Sequence, residues 1–134
     1  MNVAPQSHGR HRFGFGTFFR SFRYASEGIA WMVRHQQNMR FHITATLAVV
    51  ALAIGLGVPL SQWSALVFAI TLVLVAEALN SAVEAVMDII HPDHHPLVKV
   101  VKDVMAGAAL LAAIGAASIG GLVFVPRIVH LAGR

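Results

Sequence analysis

The sequence contains no cysteine, and only six of its 134 residues are acidic. The absence of cysteine excludes disulfides, thiolate nucleophiles and cysteine metal sites. Charged residues make up 12% of the chain, whereas roughly a quarter of the residues in a typical soluble domain are charged. Because 57% of the residues are hydrophobic and the mean hydropathy is +0.69, the composition predicts an integral membrane protein.

Basic residues outnumber acidic ones, so the chain has a formal net charge of +4 and an isoelectric point near 10.8. The lysines and arginines occur beside apolar segments and not along a long polar face. This distribution favours contact with anionic lipid headgroups over nucleic-acid binding. The first 40 residues lack the compact apolar core of a signal peptide, so we expect the apolar segments to belong to the mature protein.

The pattern along the chain predicts a flexible basic tail at residues 1–16 and a single domain at residues 17–134. Residues 17–37 put aromatic and aliphatic side chains on one helix face and most arginines elsewhere, as is typical of a helix in the membrane interface. The alternative is a surface helix packed on a soluble core. Transmembrane helices are predicted by three apolar stretches, residues 42–58, 64–90 and 104–125.

The third stretch is rich in alanine and glycine, which let neighbouring helices approach closely. Residues 91–103 are expected to form a polar connection before it, and Pro126 is expected to end it. The sequence thus predicts an all-α membrane protein in which an amphipathic helix precedes a bundle of three transmembrane helices.

The second apolar stretch ends in a polar stripe, within EALNSAVEAVMD at residues 77–88. On a helix its polar residues fall within an arc of about 100°. They are Glu77, Asn80, Ser81, Glu84 and Asp88. Acids at membrane depth are costly and normally face a bundle interior, a water-filled cleft or an ion. The stripe is therefore the first candidate site, and the alternative is the solvated face of an amphipathic helix.

The distribution of basic residues predicts the topology. Six of the ten lysines and arginines precede the first span, two lie in the second connection and two follow the third span. If the N-terminus is in the cytoplasm, the six basic residues before the first span and the two in the second connection are cytoplasmic. The positive-inside rule prefers this orientation. The polar stripe, Lys102 and Asp103 then share the cytoplasmic face, where ATP is found.

This inventory fits two kinds of protein. Phosphoryl transfer needs oxygen ligands for a divalent cation and cationic side chains for the phosphates. The sequence supplies carboxylates on one helix, a lysine and an aspartate before the next span, and arginines on an interfacial helix. The same residues would suit a small ion-coupled transporter, in which intramembrane acids and amides bind the ion.

Beyond the stripe, further segments resemble a known family. They are HPLVKVVKD at residues 95–103, AGAA at 106–109, FRSFRYASEGI at 19–29, NMRFH at 38–42 and FVPRI at 124–128. Together with EALNSAVE these segments resemble the prokaryotic diacylglycerol kinase and undecaprenol kinase family from about Phe19 to Ile128. The HPL and FVPRI segments are more similar to the Gram-positive type, in which undecaprenol is a common substrate.

The resemblance implies a homotrimeric lipid kinase of the bacterial inner membrane, with a cytoplasmic N-terminus, an amphipathic helix and three transmembrane helices per subunit, and active sites shared between subunits. It implies Mg²⁺-dependent transfer of the ATP γ-phosphate to a lipid alcohol. Diacylglycerol would give phosphatidic acid, and undecaprenol would give undecaprenyl phosphate. A non-catalytic membrane scaffold is the remaining alternative.

The resemblance also implies a role for individual residues. Glu77 corresponds to the catalytic base, and Asn80 lies beside the nucleotide and the acceptor. Glu84 corresponds to a metal ligand that also contacts the nucleotide. The nucleotide is further bound by Lys102, Asp103 and Tyr24, with Asp88 in the same polar network.

One position departs from the family pattern. The family usually has glutamate two residues before the asparagine of NMRFH, where it helps to hold the metal, and this chain has Gln36. A glutamine carbonyl can still bind Mg²⁺, but the site has one negative charge fewer. We therefore expect Gln36 to remain a metal ligand with lower affinity.

Overall fold

The computed structural model describes residues 15–91 and 95–133, in which all regular secondary structure is α-helical. The four helices are α1 (Phe15–His35), α2 (Gln37–Gly55), α3 (Leu60–Ile90) and α4 (Pro96–Ala132). The last three are long and apolar enough to cross a membrane. The prediction of an all-α protein with three candidate spans is therefore confirmed.

The chain divides into two compact units, of which the first ends at Trp31 and the second begins at Met32. In the first unit, α1 carries an exposed aromatic cluster in which the Phe18 and Phe22 rings meet edge to face, with centroids 5.0 Å apart. Arg23 and Glu27 form an exposed ion pair one turn apart. Exposed aromatic and charged groups on one helix are what an interfacial helix presents to lipid and water.

The first two helices meet at an earlier residue than predicted. Gln36 has an extended backbone, with φ −104° and ψ 116°, so α1 ends at His35 and α2 begins at Gln37. The first predicted span, residues 42–58, therefore starts too late, because the polar residues before it continue the same helix. It also ends too late, because Gly57 adopts a φ of +60° that breaks the helix.

The α2–α3 turn is short and is held by several hydrogen bonds. The Val58 amide donates to the Ala53 carbonyl at 2.9 Å, and the Trp63 indole donates to the Val58 carbonyl at 3.2 Å. The Arg127 guanidinium, from α4, donates to the Gly57 carbonyl. Because Pro59 precedes the helix as its N-cap residue, α3 begins at Leu60 and not at the predicted residue 64.

The last helix is longer than predicted at both ends. The predicted polar connection at 91–103 is wrong beyond His95, because Pro96 starts the helix: a proline at the first position loses no helical hydrogen bond. The His95 Nδ1 accepts from the Leu97 amide at 3.2 Å and caps this end. The predicted end at Pro126 is also wrong, since α4 continues through it to Ala132. Transmembrane helices tolerate such prolines when neighbouring groups satisfy the freed carbonyl.

The second unit packs α3 against both α2 and α4 along one face of α3. The buried residues of that face recur at three- and four-residue steps. They are Leu66, Ala69, Val73, Glu77, Asn80 and Ser81. Leu66, at the start of this face, joins an apolar core with Ala53, Val58 and Val123. The face therefore changes from apolar to polar along its length, and its polar half forms the site described below.

Gly57 offers a test of the turn. Gly57→Ala should lower the free energy of unfolding by about 1–2 kcal/mol, the cost of a left-handed backbone for an alanine. Crowding is not the cause, because the nearest atom to an added Cβ, on Arg127, is 3.7 Å away. Denaturation of the detergent-solubilised protein measures the change.

Gly55→Ala is the matched control, because Gly55 is helical and an added Cβ meets nothing within 4 Å. It should leave the stability unchanged or raise it slightly. Equal stability of the two variants would contradict the conformational role assigned to Gly57.

Candidate functional site

The polar half of the α3 face lies inside the helix bundle. Glu77 and Asn80 are each 3% exposed and Ser81 is 1% exposed, whereas Glu84 is half-buried and Asp88 is exposed. The alternative of a solvated amphipathic face is therefore wrong for the first turn of the stripe. Burial of a carboxylate and an amide is costly unless a partner or a ligand compensates it.

Two buried oxygens of this face are without hydrogen-bond partners among the described residues. They are Asn80 Oδ1 and Ser81 Oγ. The Asn80 amide nitrogen lies 3.5 Å from Glu84 Oε1 and donates to it, which directs the other end of the amide away from Glu84. Buried polar atoms are nearly always satisfied, so an unpaired acceptor such as Oδ1 is available to a ligand.

Residues from α2 and α4 complete a cavity beside Glu77, which we call the polar cleft. Its volume is about 320 Å³. It is lined by Asn38, Phe41 and His42 from α2, Glu77 and Asn80 from α3, and Ala106, Ala109, Leu110 and Ala113 from α4. The Asn38 side chain is within hydrogen-bonding reach of the Glu77 carboxylate, and His42 is close enough to interact with it electrostatically. Small side chains on α4 leave the room for the cleft.

A larger cavity, the apolar groove, adjoins the polar cleft. Its volume is about 520 Å³, and His42 and Thr46 are the polar side chains that line it. Phe41, His42 and Ala113 line both cavities. The remaining walls of the groove are aliphatic or aromatic, among them Val49, Leu66, Val73 and Phe124. A polar compartment with a buried acid thus shares part of its wall with a hydrocarbon-lined one.

The charged residues at the start of α4 are ion-paired. Lys102 donates to Asp88, which joins the end of α3 to the beginning of α4. The side chain of Lys102 is 33% exposed, against 66% for Asp88. Asp103 pairs with Lys99 on the same helix. Lys102 and Asp103 are therefore on a helix, and not in the loop that the sequence pattern predicted.

The oxygen atoms around Asn80 can be compared with what Mg²⁺ needs. Within residues 15–91 and 95–133, no group of three or more histidine, aspartate or glutamate side chains is arranged to hold a metal ion. Mg²⁺ is commonly held by one or two carboxylates together with water and substrate phosphates. The Glu84 carboxylate can contribute to such a donor set, whereas the Asn80 Oδ1 is directed away from Glu84. A Mg²⁺ ion bound here would take its remaining ligands from water and substrate phosphates.

The structure places the remaining predicted residues as follows. Gln36 is the half-buried N-cap residue of α2 and makes no capping hydrogen bond with its side chain. Tyr24 lies on α1 in the first unit, where the Arg23 guanidinium carbon is 5.3 Å from the centre of its ring. The roles expected of both residues remain predictions.

Three residues of the site were missed by sequence reasoning. Asn38 and His42 are polar residues four apart at the start of an apolar helix, a spacing that places both on one face. Lys99 is four residues before Asp103, which is the spacing of a helical ion pair. Each signal was present, but the predicted helices began too late to contain it.

Comparisons with known proteins identify the family of this chain. The family model described as prokaryotic diacylglycerol kinase matches residues 23–124. The undecaprenol kinase of Bacillus subtilis is 35% identical over 118 residues, which is 88% of this chain and 96% of that protein. A diacylglycerol kinase of Synechocystis is 38% identical over 112 residues, which is 83% of this chain and 64% of that protein.

The diacylglycerol kinase of Escherichia coli is 33% identical over 103 residues, which is 75% of this chain and 83% of that protein. The matched region contains the whole polar half of α3 and the paired lysines of α4. Since the family model covers most of the sequence, the chain belongs to the prokaryotic diacylglycerol kinase family.

Proposed function

We propose that this protein transfers the γ-phosphate of ATP to the hydroxyl of a membrane lipid alcohol at the cytoplasmic face of the membrane. The observation that carries the proposal is the buried Glu77 carboxylate, which lines a polar cleft joined to an apolar groove. A lipid alcohol has both parts, since its hydroxyl suits the cleft and its hydrocarbon suits the groove.

Glu77 is the general base of this reaction. A hydroxyl in the cleft lies beside its carboxylate, which accepts the proton as the oxygen attacks phosphorus. Asn38 holds the carboxylate in place from α2. Glu77 is almost fully buried between the helices, so bulk water has little access to its carboxylate. Transfer to the lipid is therefore favoured over ATP hydrolysis.

Glu84 and Gln36 would hold Mg²⁺, which when bound neutralises phosphate charge during the transfer, and Asn80 lies beside the nucleotide and the acceptor. Lys102 and Asp103 contact the nucleotide, together with Tyr24 from α1. Lys102 is paired with Asp88 in the structure, and a nucleotide phosphate competes with that carboxylate for the ammonium group. Asp88 thus keeps Lys102 oriented at the end of α3 before the nucleotide binds.

Undecaprenol is the acceptor that the groove supports best. Its chain is hydrocarbon directly beyond the hydroxyl, whereas diacylglycerol carries ester groups close to its hydroxyl. Thr46, one of the two polar side chains that line the groove, donates its hydroxyl to the His42 carbonyl at 2.8 Å. The relative from Bacillus subtilis is named undecaprenol kinase, and the match covers 96% of that protein. This name also supports undecaprenol as the acceptor.

The protein is placed in the bacterial inner membrane as a homotrimer with its N-terminus in the cytoplasm, and the apolar surface of the bundle supports the membrane location. Large hydrophobic side chains on α2, α3 and α4 are exposed, among them Leu47, Phe68 and Leu122. Lipid and neighbouring subunits would cover these surfaces. The basic residues before α2 and at the α3–α4 connection support this orientation.

Substitution of the base tests the proposed function. Glu77→Gln keeps the size and hydrogen bonding of the side chain but cannot take a proton, so kcat should fall at least about 100-fold. The KM for ATP should change little, because Glu77 is not assigned to the nucleotide. Transfer of labelled phosphate from ATP to undecaprenol in mixed micelles measures both constants.

The matched control is Glu27→Gln, the same substitution at an exposed acid of α1. Its kcat should equal that of the wild type. Activity of Glu77→Gln within a few-fold of the control would exclude Glu77 as the base.

Gln36 gives a second test. Gln36→Glu should lower the Mg²⁺ concentration that supports half of the maximal activity, because it restores a negative charge to the ligand set. Titration of activity with Mg²⁺ at saturating ATP measures it. Gln37→Glu adds the same charge at the next residue, which is exposed, and should leave the Mg²⁺ dependence unchanged. An identical Mg²⁺ dependence in both variants would place Gln36 away from the metal.

A further inference from the structure

His42 lies where the polar cleft meets the apolar groove. Among the three residues that line both cavities, Phe41 and Ala113 are apolar and His42 alone carries nitrogen atoms in its side chain. Glu77 lines the polar cleft but not the groove. A lipid that extends from the groove to Glu77 would therefore pass the three shared residues, of which His42 is the polar one.

His42 and Asn38 approach Glu77 from the same helix. They are four residues apart on α2, so both point to one side of it. Asn38 is in hydrogen-bonding reach of the Glu77 carboxylate, and His42 interacts with it electrostatically. Both side chains therefore face Glu77, and only His42 also borders the groove through which the acceptor would enter.

The surroundings of His42 limit its orientation and leave its imidazole for a ligand. The Phe41 ring packs edge-on against it, with ring centroids 5.6 Å apart. The Thr46 hydroxyl donates to the backbone carbonyl of His42 at 2.8 Å, so it does not compete for the side chain. An imidazole N–H can donate a hydrogen bond to the oxygen of an alcohol.

We propose that His42 binds the hydroxyl of the lipid acceptor and holds it against Glu77. This inference rests on the proposed function and assigns a residue to its lipid site. The imidazole N–H donates to the hydroxyl oxygen, whose proton points to the carboxylate. The oxygen then forms a bond to the γ-phosphorus, its proton passes to Glu77, and the bond from that phosphorus to the bridging oxygen breaks as ADP leaves with the electron pair.

Removal of the imidazole nitrogens tests the assignment. His42→Phe keeps a ring of similar size but has no donor, so kcat/KM for undecaprenol should fall about 10-fold, as expected for the loss of one hydrogen bond. The KM for ATP should stay within about twofold of the wild-type value, because His42 is placed on the lipid side of Glu77. His42→Gln keeps an N–H donor and should recover most of the loss.

His130→Phe is the matched control, since His130 is an exposed histidine on α4 that lines neither cavity. Its constants should equal those of the wild type. His42→Leu is measured beside His42→Phe, and an unchanged KM for ATP shows in each that the nucleotide site is intact. An equal loss of kcat/KM for undecaprenol in His42→Phe and His42→Leu, together with its recovery in His42→Gln, supports the assignment.

Three outcomes overturn it. A kcat/KM for the lipid that equals that of the His130→Phe control removes His42 from the lipid site, while the proposed function stands. A KM for ATP that rises in parallel with the lipid effect, or a loss that His42→Gln does not recover, shows a structural role. Failure of the wild-type protein to phosphorylate either lipid overturns the proposed function and this assignment together.

Discussion

Burial of the Glu77 carboxylate inside an apolar bundle is the constraint on which the rest of the structure depends. A charge at membrane depth is costly unless polar partners surround it, and α2 supplies Asn38 and His42 for this purpose. The α3 face is accordingly divided: Leu66, Ala69 and Val73 build a core, and the polar residues begin one turn later. The acid is thus kept away from lipid while one side of it faces a cleft.

The division of that face also explains how one small chain can bring together two unlike substrates. The apolar groove and the polar cleft share a wall, so the hydrocarbon and the hydroxyl of one lipid can bind side by side. The hydrocarbon is then not exposed to water, and the hydroxyl is not placed in apolar surroundings. The ion pair between Lys102 and Asp88 lies at the other end of the stripe, where a nucleotide would approach. The chemistry proposed here needs these three regions in this order along α3.

Much of this arrangement could be predicted from the sequence, because acids within apolar helices are rare. The face shared by Glu77, Asn80 and Glu84 followed from helical periodicity alone. The helix ends did not: Pro96 and Pro126 were interpreted as helix breakers, although the first occupies an N-terminal position that suits proline and the second is tolerated in a membrane helix. The spacing of Asn38 and His42 places both on one face of α2, but the predicted helix began too late to include the pair. Which neighbouring helix that face meets could not be predicted, because periodicity identifies a buried face and not its partner.

The most direct test of the central claim is transfer of labelled γ-phosphate from ATP by the wild-type protein in mixed micelles, with undecaprenol and diacylglycerol in parallel and with Mg²⁺ omitted as a control. We expect Mg²⁺-dependent labelling, with undecaprenol the better acceptor. Labelling of diacylglycerol alone would contradict the acceptor that the groove supports. No labelling of either lipid by folded protein would contradict the account itself, and would leave the buried carboxylate without a lipid hydroxyl to deprotonate.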